Sequence, residues 1–142
     1  MSWLKDLRYG IAETTAAEHP ELFDFDPTGA SPRADRCGIH GVVLPDQPVQ
    51  ACALAMTVAA EGIETVVAVQ FRFRAATDSD LDTLEDALAN SWTKRAAGMV
   101  GSARLIRSAW ASGASLGQDS SQRLVRSANF LMTVKRPLTH QD

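Results

Sequence analysis

The chain has 142 residues, 45% hydrophobic and 22% charged, a balance that fits one globular domain and excludes an extensively disordered chain. Its formal net charge of −3 is unevenly spread: residues 1–70 carry four Lys/Arg against ten Asp/Glu, residues 71–142 carry ten against seven, and eleven of the fourteen basic residues are arginine. No stretch approaches the roughly 18 apolar residues of a spanning helix, and Asp6 and Glu13 interrupt any signal-peptide core, so synthesis in the cytosol without membrane contact is expected.

Trp3, Leu4, Leu7 and Ile11 recur at helical spacing, with Lys5, Asp6, Arg8 and Glu13 on the other face. The spacing predicts a helix from Ser2, its N-cap, to Glu18, because His19-Pro20 disfavours continuing it. Residues 20–36 contain Pro20, Pro27, Gly29 and Pro32 and read as a long loop with a short extended piece at Leu22–Phe25. Loops of that length tend to be functional or to order against a partner. Gly38–Leu44 reads as a strand and Pro45-Asp46-Gln47-Pro48 as a turn. Gln50–Thr57 is apolar without clean alternation and fits a buried strand or a helical turn. After a turn at Glu61-Gly62, Ile63–Arg74 is a strand with Val67, Val69, Phe71 and Phe73 toward the core and Ala68, Gln70, Arg72 and Arg74 on a wet or interfacial face.

Thr77 is placed to cap a second helix whose first turn holds Asp78, Asp80 and Asp82, favourable at the positive end of the dipole. Leu81, Leu84, Leu88 and Trp92 form its apolar stripe, Lys94-Arg95 suit its C-terminus, and Gly98 and Gly101 break it. Ala103–Ala111 reads as a strand, Ser112–Gln122 as a Gly/Ser-rich polar loop too long for a tight turn, and the residues from Leu124 to Lys135 as a two-faced strand stopped by Pro137. Leu124, Arg126, Ala128, Phe130, Met132 and Val134 share one face of that strand. The expected fold is a single α+β domain over residues 1–142: helix, three strands, helix, two strands, giving a mostly antiparallel sheet of four to five strands with two helices on one face.

The residues that carry chemistry elsewhere are scattered here. Cys37 and Cys52 lie in apolar runs and read as small buried hydrophobes. His19, His40 and His140 have no partner at metal-ligand spacing, and His40 reads as a satisfied structural histidine. Phosphate-loop, dinucleotide and nucleophile-elbow motifs are missing. Asp78, Asp80, Asp82, Glu85 and Asp86 open a helix and read as capping charge plus a solvated face. No catalytic, cofactor or metal residue is assigned, and no enzyme class is expected.

Two readings of the arginines stay open. Arg72, Arg74, Arg104, Arg107, Arg123 and Arg126 would form a basic sheet face suited to nucleic acid, but the net charge is negative and strand-borne aromatics are few. Alternatively, the acidic N-terminal half and the Arg-bearing C-terminal half meet head-to-tail between copies.

Three segments, spanning about residues 40–137, carry a resemblance to a known family. Leu116-Gly117-Gln118-Asp119, then Arg123, Arg126-Ser127-Ala128-Asn129-Phe130 and Lys135-Arg136-Pro137, resemble the C-terminal hairpin of the tail-terminator (minor capsid) proteins of long-tailed bacteriophages. Val69-Gln70-Phe71-Arg72-Phe73-Arg74 before the Asp78 helix resembles that family's central strand and helix, and Gly38-Ile39 through Leu44-Pro45-Asp46 its first strand. The sequence departs from the pattern at Gln122, where a glycine is usual, and at Met56-Thr57, where an aromatic often ends the second strand. The resemblance implies a virion protein that forms a six-membered ring on the last ring of the tail tube, stops its polymerisation and meets the head-completion proteins. From the negative net charge and the few strand-borne aromatics, no specific nucleic-acid binding is expected. Another neck component, a head-closure or connector protein, is the alternative, and a cellular α+β binding module the third reading. Candidate interface residues are Arg72, Arg74, Arg107, Leu116, Gly117, Gln118, Asp119, Arg123 and Arg126, with the 20–36 and 112–122 loops expected to reach neighbouring rings.

Overall fold

The computed structural model describes residues 2–28, 35–62, 64–95 and 97–136. Two helices, α1 (Trp3–Glu18) and α2 (Asp78–Trp92), lie against one face of a seven-stranded sheet. The strands are β1 (Phe23–Asp24), β2 (Cys37–His40), β3 (Ala51–Ala60), β4 (Thr65–Ala75), β5 (Gly98–Val100), β6 (Ala103–Gln118) and β7 (Leu124–Lys135), in the spatial order β1-β2-β3-β4-β7-β6-β5. The first three strands pair in parallel and the rest antiparallel. Helix α1 touches β1 and β3 on one side and β5 and β6 on the other, because the sheet curls around the helices.

Both helices start where their caps place them. The Ser2 hydroxyl accepts from the Lys5 N–H at 3.1 Å, and the Thr77 hydroxyl from the Asp80 N–H at 3.1 Å. Their apolar stripes, Trp3, Leu7 and Ile11 on α1 and Leu81, Leu84, Leu88 and Trp92 on α2, are buried against Leu54, Phe71, Phe73, Phe130 and Leu105. Phe71 and Phe130, on neighbouring strands, meet edge to face with ring centroids 5.9 Å apart. Cys37 and Cys52 are buried and unbridged, as their apolar surroundings suggested.

Several expectations are corrected. The sheet has seven strands rather than four or five. The extra two, β1 and β5, span two and three residues and exist through their partners: Phe23 pairs with Cys37, and Met99 with Arg104. The part of the 20–36 loop at residues 29–34 lies outside the described residues, as do Ile63, Pro137 and His140. Strand β2 ends at His40, so 41–44 is not strand. Residues 51–60 are strand, with Cys52, Leu54, Met56 and Val58 opposite Phe73, Phe71, Val69 and Val67. Helix α2 stops at Trp92, before Gly98, which opens β5, while Gly101 (φ +60°) turns the chain into β6.

The largest correction concerns Ser112–Gln122. This stretch is not a long polar loop: β6 continues to Gln118, and only the turn from Asp119 to Arg123 joins it to β7. Register shifts after Leu105, Trp110 and Ser115 insert one extra residue each, at Ile106, Ala111 and Leu116. The core-side positions of β6 are therefore Leu105, Ser108, Trp110, Gly113, Ser115 and Gln118, a spacing of alternately three and two residues that no period-2 search detects.

Candidate subunit interface

The helix-free face of the sheet is half covered by the chain itself. Residues 41–50 leave β2 and lie across this face before entering β3, and three arginines hold them there. Arg72 Nη2 donates to the Val42 carbonyl at 2.6 Å. Arg74, only 4% exposed, donates through Nε to Val49 O at 2.9 Å and through Nη2 to Pro48 O at 2.8 Å and Asp46 O at 3.4 Å. Arg123, from the β6–β7 turn, donates to the Asp46 carbonyl at 2.5 Å and pairs with the Asp46 carboxylate at 3.3 Å. A planar guanidinium with five fixed donors suits a cluster of carbonyls that a single ammonium would not span. The clamped loop turns Val42 and Val43 outward; Val43 is 76% exposed.

The β6–β7 turn is built on Asp119. Its Oδ1 accepts from the N–H groups of Ser121 and Arg123, each at 2.9 Å, and its Oδ2 from Arg123 Nε at 2.8 Å. Desolvation pushes the Asp119 pKa up, and these hydrogen bonds more than offset it, holding the carboxyl below the usual range. Gln122 sits at φ +63°, the left-handed conformation that favours glycine, so the turn keeps a glycine-type geometry with a residue that bears a Cβ. Gly117 (φ +82°) and Gln118, whose amide donates to Gln122 O at 3.5 Å, complete the end of the hairpin.

Arg126 stands on the helix side. It pairs with Asp82 at 2.7 Å, Glu85 at 3.1 Å and Asp78 at 3.6 Å, all on α2. The hydrogen bonds it donates to Asp82 and then Glu85 raise its pKa against the opposing effect of burial. Part of the acidic stretch expected to be a solvated helix face is thus a seat for one strand arginine. His40 also departs from expectation: its Nε2 is buried with no hydrogen-bond partner among the described residues.

Of the candidate interface residues, the structure brings Arg72, Arg74, Asp119 and Arg123 together around the 41–50 loop, places Arg126 across the sheet on α2, and leaves Arg107 and Leu116 exposed on β6. The six arginines do not form one basic face. Arg107 and Arg104 lack a carboxylate partner among the described residues. Lys135, directly opposite Arg104, also lacks one and adds a third cation to that end of the uncovered face. Sequence reasoning passed over Lys135 and the exposed valines; only the strand register and the path of the loop reveal them.

A cleft of about 200 Å³ between α1 and the β1–β2 margin is lined by Arg8, Tyr9, Asp24, Phe25 and His40 among others, but by no serine, threonine, cysteine or lysine. Among the described residues, no group of three or more His, Cys, Asp or Glu could hold a metal ion. Among the described residues, no helix is long and apolar enough to cross a membrane.

No protein-family profile and no curated protein sequence matches this chain. Its fold does match a solved one. A chain from the virion of a native gene transfer agent (GTA) particle superposes with a TM-score of 0.61 over 90% of this chain and 93% of its own length, at 12% sequence identity. At that identity the match establishes a shared fold.

Proposed function

We propose that this chain is a structural protein of a phage-like particle, a tail terminator that forms a ring on the end of the tail tube, stops its growth and joins it to the head-completion proteins. The observation that carries the reading is the fold match to a virion chain, which spans nearly the whole of both chains. The finer assignment draws on the sequence pattern. Val69–Arg74 runs directly into the Asp78 helix, and Leu116–Lys135 forms a hairpin beside it, the arrangement the tail-terminator resemblance implies. The six-fold ring, the tube and head-side partners and the virion location all belong to this reading. Exposed Arg107 and Leu116 are its best subunit contacts, whereas Arg72, Arg74 and Arg123 support the ring indirectly by holding the 41–50 loop.

The same fold match supports a second reading, a head-closure or connector protein of the neck, because it extends to a virion chain without fixing a position. Native mass spectrometry of the protein, alone and mixed with its tail-tube protein, separates the two. A tail terminator yields a closed ring on tube ends, and tubes seen by electron microscopy stop lengthening. A protein that stays monomeric with tubes at every concentration, and leaves their growth unchanged, overturns the proposal.

A further inference from the structure

Among the described residues, the exposed large apolar side chains fall into two groups, one on the 41–50 loop and one on β5–β7. Val42, Val43 and Val49 project from the clamped loop, whose first residues leave β2 and whose carbonyls at 42 and 49 are held by Arg72 and Arg74. Met99 on β5 and Leu131 on β7 lie on the helix-free face, Trp110 on the helix side of β6, and Leu116 at the last bulge of β6. Exposed apolar patches of this kind mark contact sites.

The charges divide the same way. Arg104 and Lys135 are direct cross-strand partners on the helix-free face, with Arg107 beside them. Like charges directly opposite are unfavourable, and no carboxylate among the described residues relieves them. At the β1 margin, Glu21, Asp24 and Asp26 lie within six residues of one another; among the described residues, Asp26 is bonded only to Thr28, and Glu21 approaches only His19. Arg36 at the same margin is held by the Pro20 carbonyl and Asp35, and Arg8 stands nearby, so the contrast between the margins is one of predominant sign.

The two margins also differ in their backbone. The β1 edge is two residues long and bracketed by Pro20 and Pro27, a blunted edge. The outer edge of β6 from Ala109 to Gln118 carries no charge and no proline and pairs with no strand among the described residues. Its bulges at Ala111 and Leu116 interrupt the row of free backbone groups, so side chains supply most of a contact there.

We infer that the β6 margin, with Arg104, Arg107, Lys135 and Leu116, receives the β1–β2 margin of a second copy of this chain, with Glu21, Asp24, Asp26, Val42 and Val43. The contact is heterologous, so repeated copies close into a ring or extend as a filament. This inference rests on the ring-forming reading and assigns the two surfaces of each ring contact.

Thiol cross-linking tests it, because the native Cys37 and Cys52 are buried and do not compete. Val43→Cys protein is mixed with Ser115→Cys protein and treated with a short bismaleimide, with and without tail-tube protein. The expected result is a mixed dimer that neither variant yields alone. Self-cross-linking of Ser115→Cys alone means a two-fold edge-to-edge contact and overturns the inference, as does the lack of a 43–115 product in both samples. Rings that form and cap tubes without that product sink this contact while leaving the proposed function standing. In a second arm, Arg104→Glu/Arg107→Glu/Lys135→Glu lowers the yield of the cross-link about tenfold or more, and a Glu21→Lys/Asp24→Lys/Asp26→Lys partner restores it. Loss without rescue counts against the pairing. So does a triple variant that keeps self-association but loses binding to a fluorescent DNA duplex, which would assign the cations to phosphate.

Discussion

The Trp92 indole N–H donates to the Thr15 hydroxyl at 3.0 Å, and that hydroxyl donates in turn to the Ile11 carbonyl at 2.8 Å. Both side chains are fully buried. This relay joins the end of α2 to α1 inside an otherwise apolar layer. Thr15→Val keeps the shape and leaves the indole N–H unpaired, an expected cost of about 1–3 kcal/mol. Thr15→Ser retains the acceptor and loses less. Urea unfolding of the three proteins, followed by tryptophan fluorescence, measures the order; an undiminished Thr15→Val midpoint contradicts the assignment.

Arg74 is the centre of the loop clamp. Arg74→Met leaves the carbonyls of Pro48 and Val49 without their donor, and stability falls by roughly 2–3 kcal/mol. Arg74→Lys restores little, because one ammonium cannot reproduce the fork. Hydrogen exchange at residues 50–54 rises in both variants. If Arg74→Lys behaves as wild type, charge alone is at work and the geometric account fails.

The β5–β6 turn packs backbone to backbone against α1. A Cβ at Gly10 falls within the backbone of Gly101, and the Asp6 carboxylate accepts from the Ser102 N–H at 2.5 Å. Gly10→Ala forces the turn away from the helix and costs about 1–3 kcal/mol by overpacking, despite alanine's better helix propensity. A gain in melting temperature would show that the turn yields freely.

Acid sensitivity has one identified source at the helix ends. Arg95 hydrogen-bonds Glu18 and lies 2.9 Å from its other oxygen; Ser91 adds a bond at 2.7 Å. These hold the carboxyl below its ordinary value of 4.5 against the opposing effect of burial. A carboxyl depressed in the folded state contributes stability above its unfolded pKa and loses it as pH falls through the folded value. The denaturation midpoint of wild type therefore drops below about pH 4.5 more steeply than that of Glu18→Gln. Parallel curves exclude this carboxylate as a contributor.

The cysteines supply a simpler check. Burial pushes Cys37 up to about 12 and Cys52 well above the ordinary thiol range. Neither reacts with a thiol reagent at pH 8 until the protein unfolds; prompt labelling of the native protein would show that the β2–β3 layer opens.

Features set by local periodicity were legible in the sequence. Trp3, Leu7 and Ile11 announce α1, Leu81 to Trp92 announce α2, and the alternation from Leu124 to Val134 announces β7, because one side of each faces a continuous core. Strand β6 was legible only as far as Ala111, because its bulges reset the alternation and left Ser112–Gln118 looking like a polar linker. Strand β5 escaped because three residues carry no period, and β1, inside the extended piece expected at Leu22–Phe25, becomes a strand only through its pairing with β2. The arginines were visible as strand residues, but their partners were not. Arg72 and Arg74 bind carbonyls more than twenty positions away, and a carbonyl leaves no mark in a side-chain pattern.

The 41–50 loop also has a mechanical consequence. It starts beside β2, is gripped by β4, and ends its reach at the β6–β7 turn, so it crosses three strand-to-strand steps, about 14 Å of sheet. A pull on the outer strands is shared along this diagonal brace and resisted in shear, where many bonds carry it together, rather than peeling one ladder bond after another.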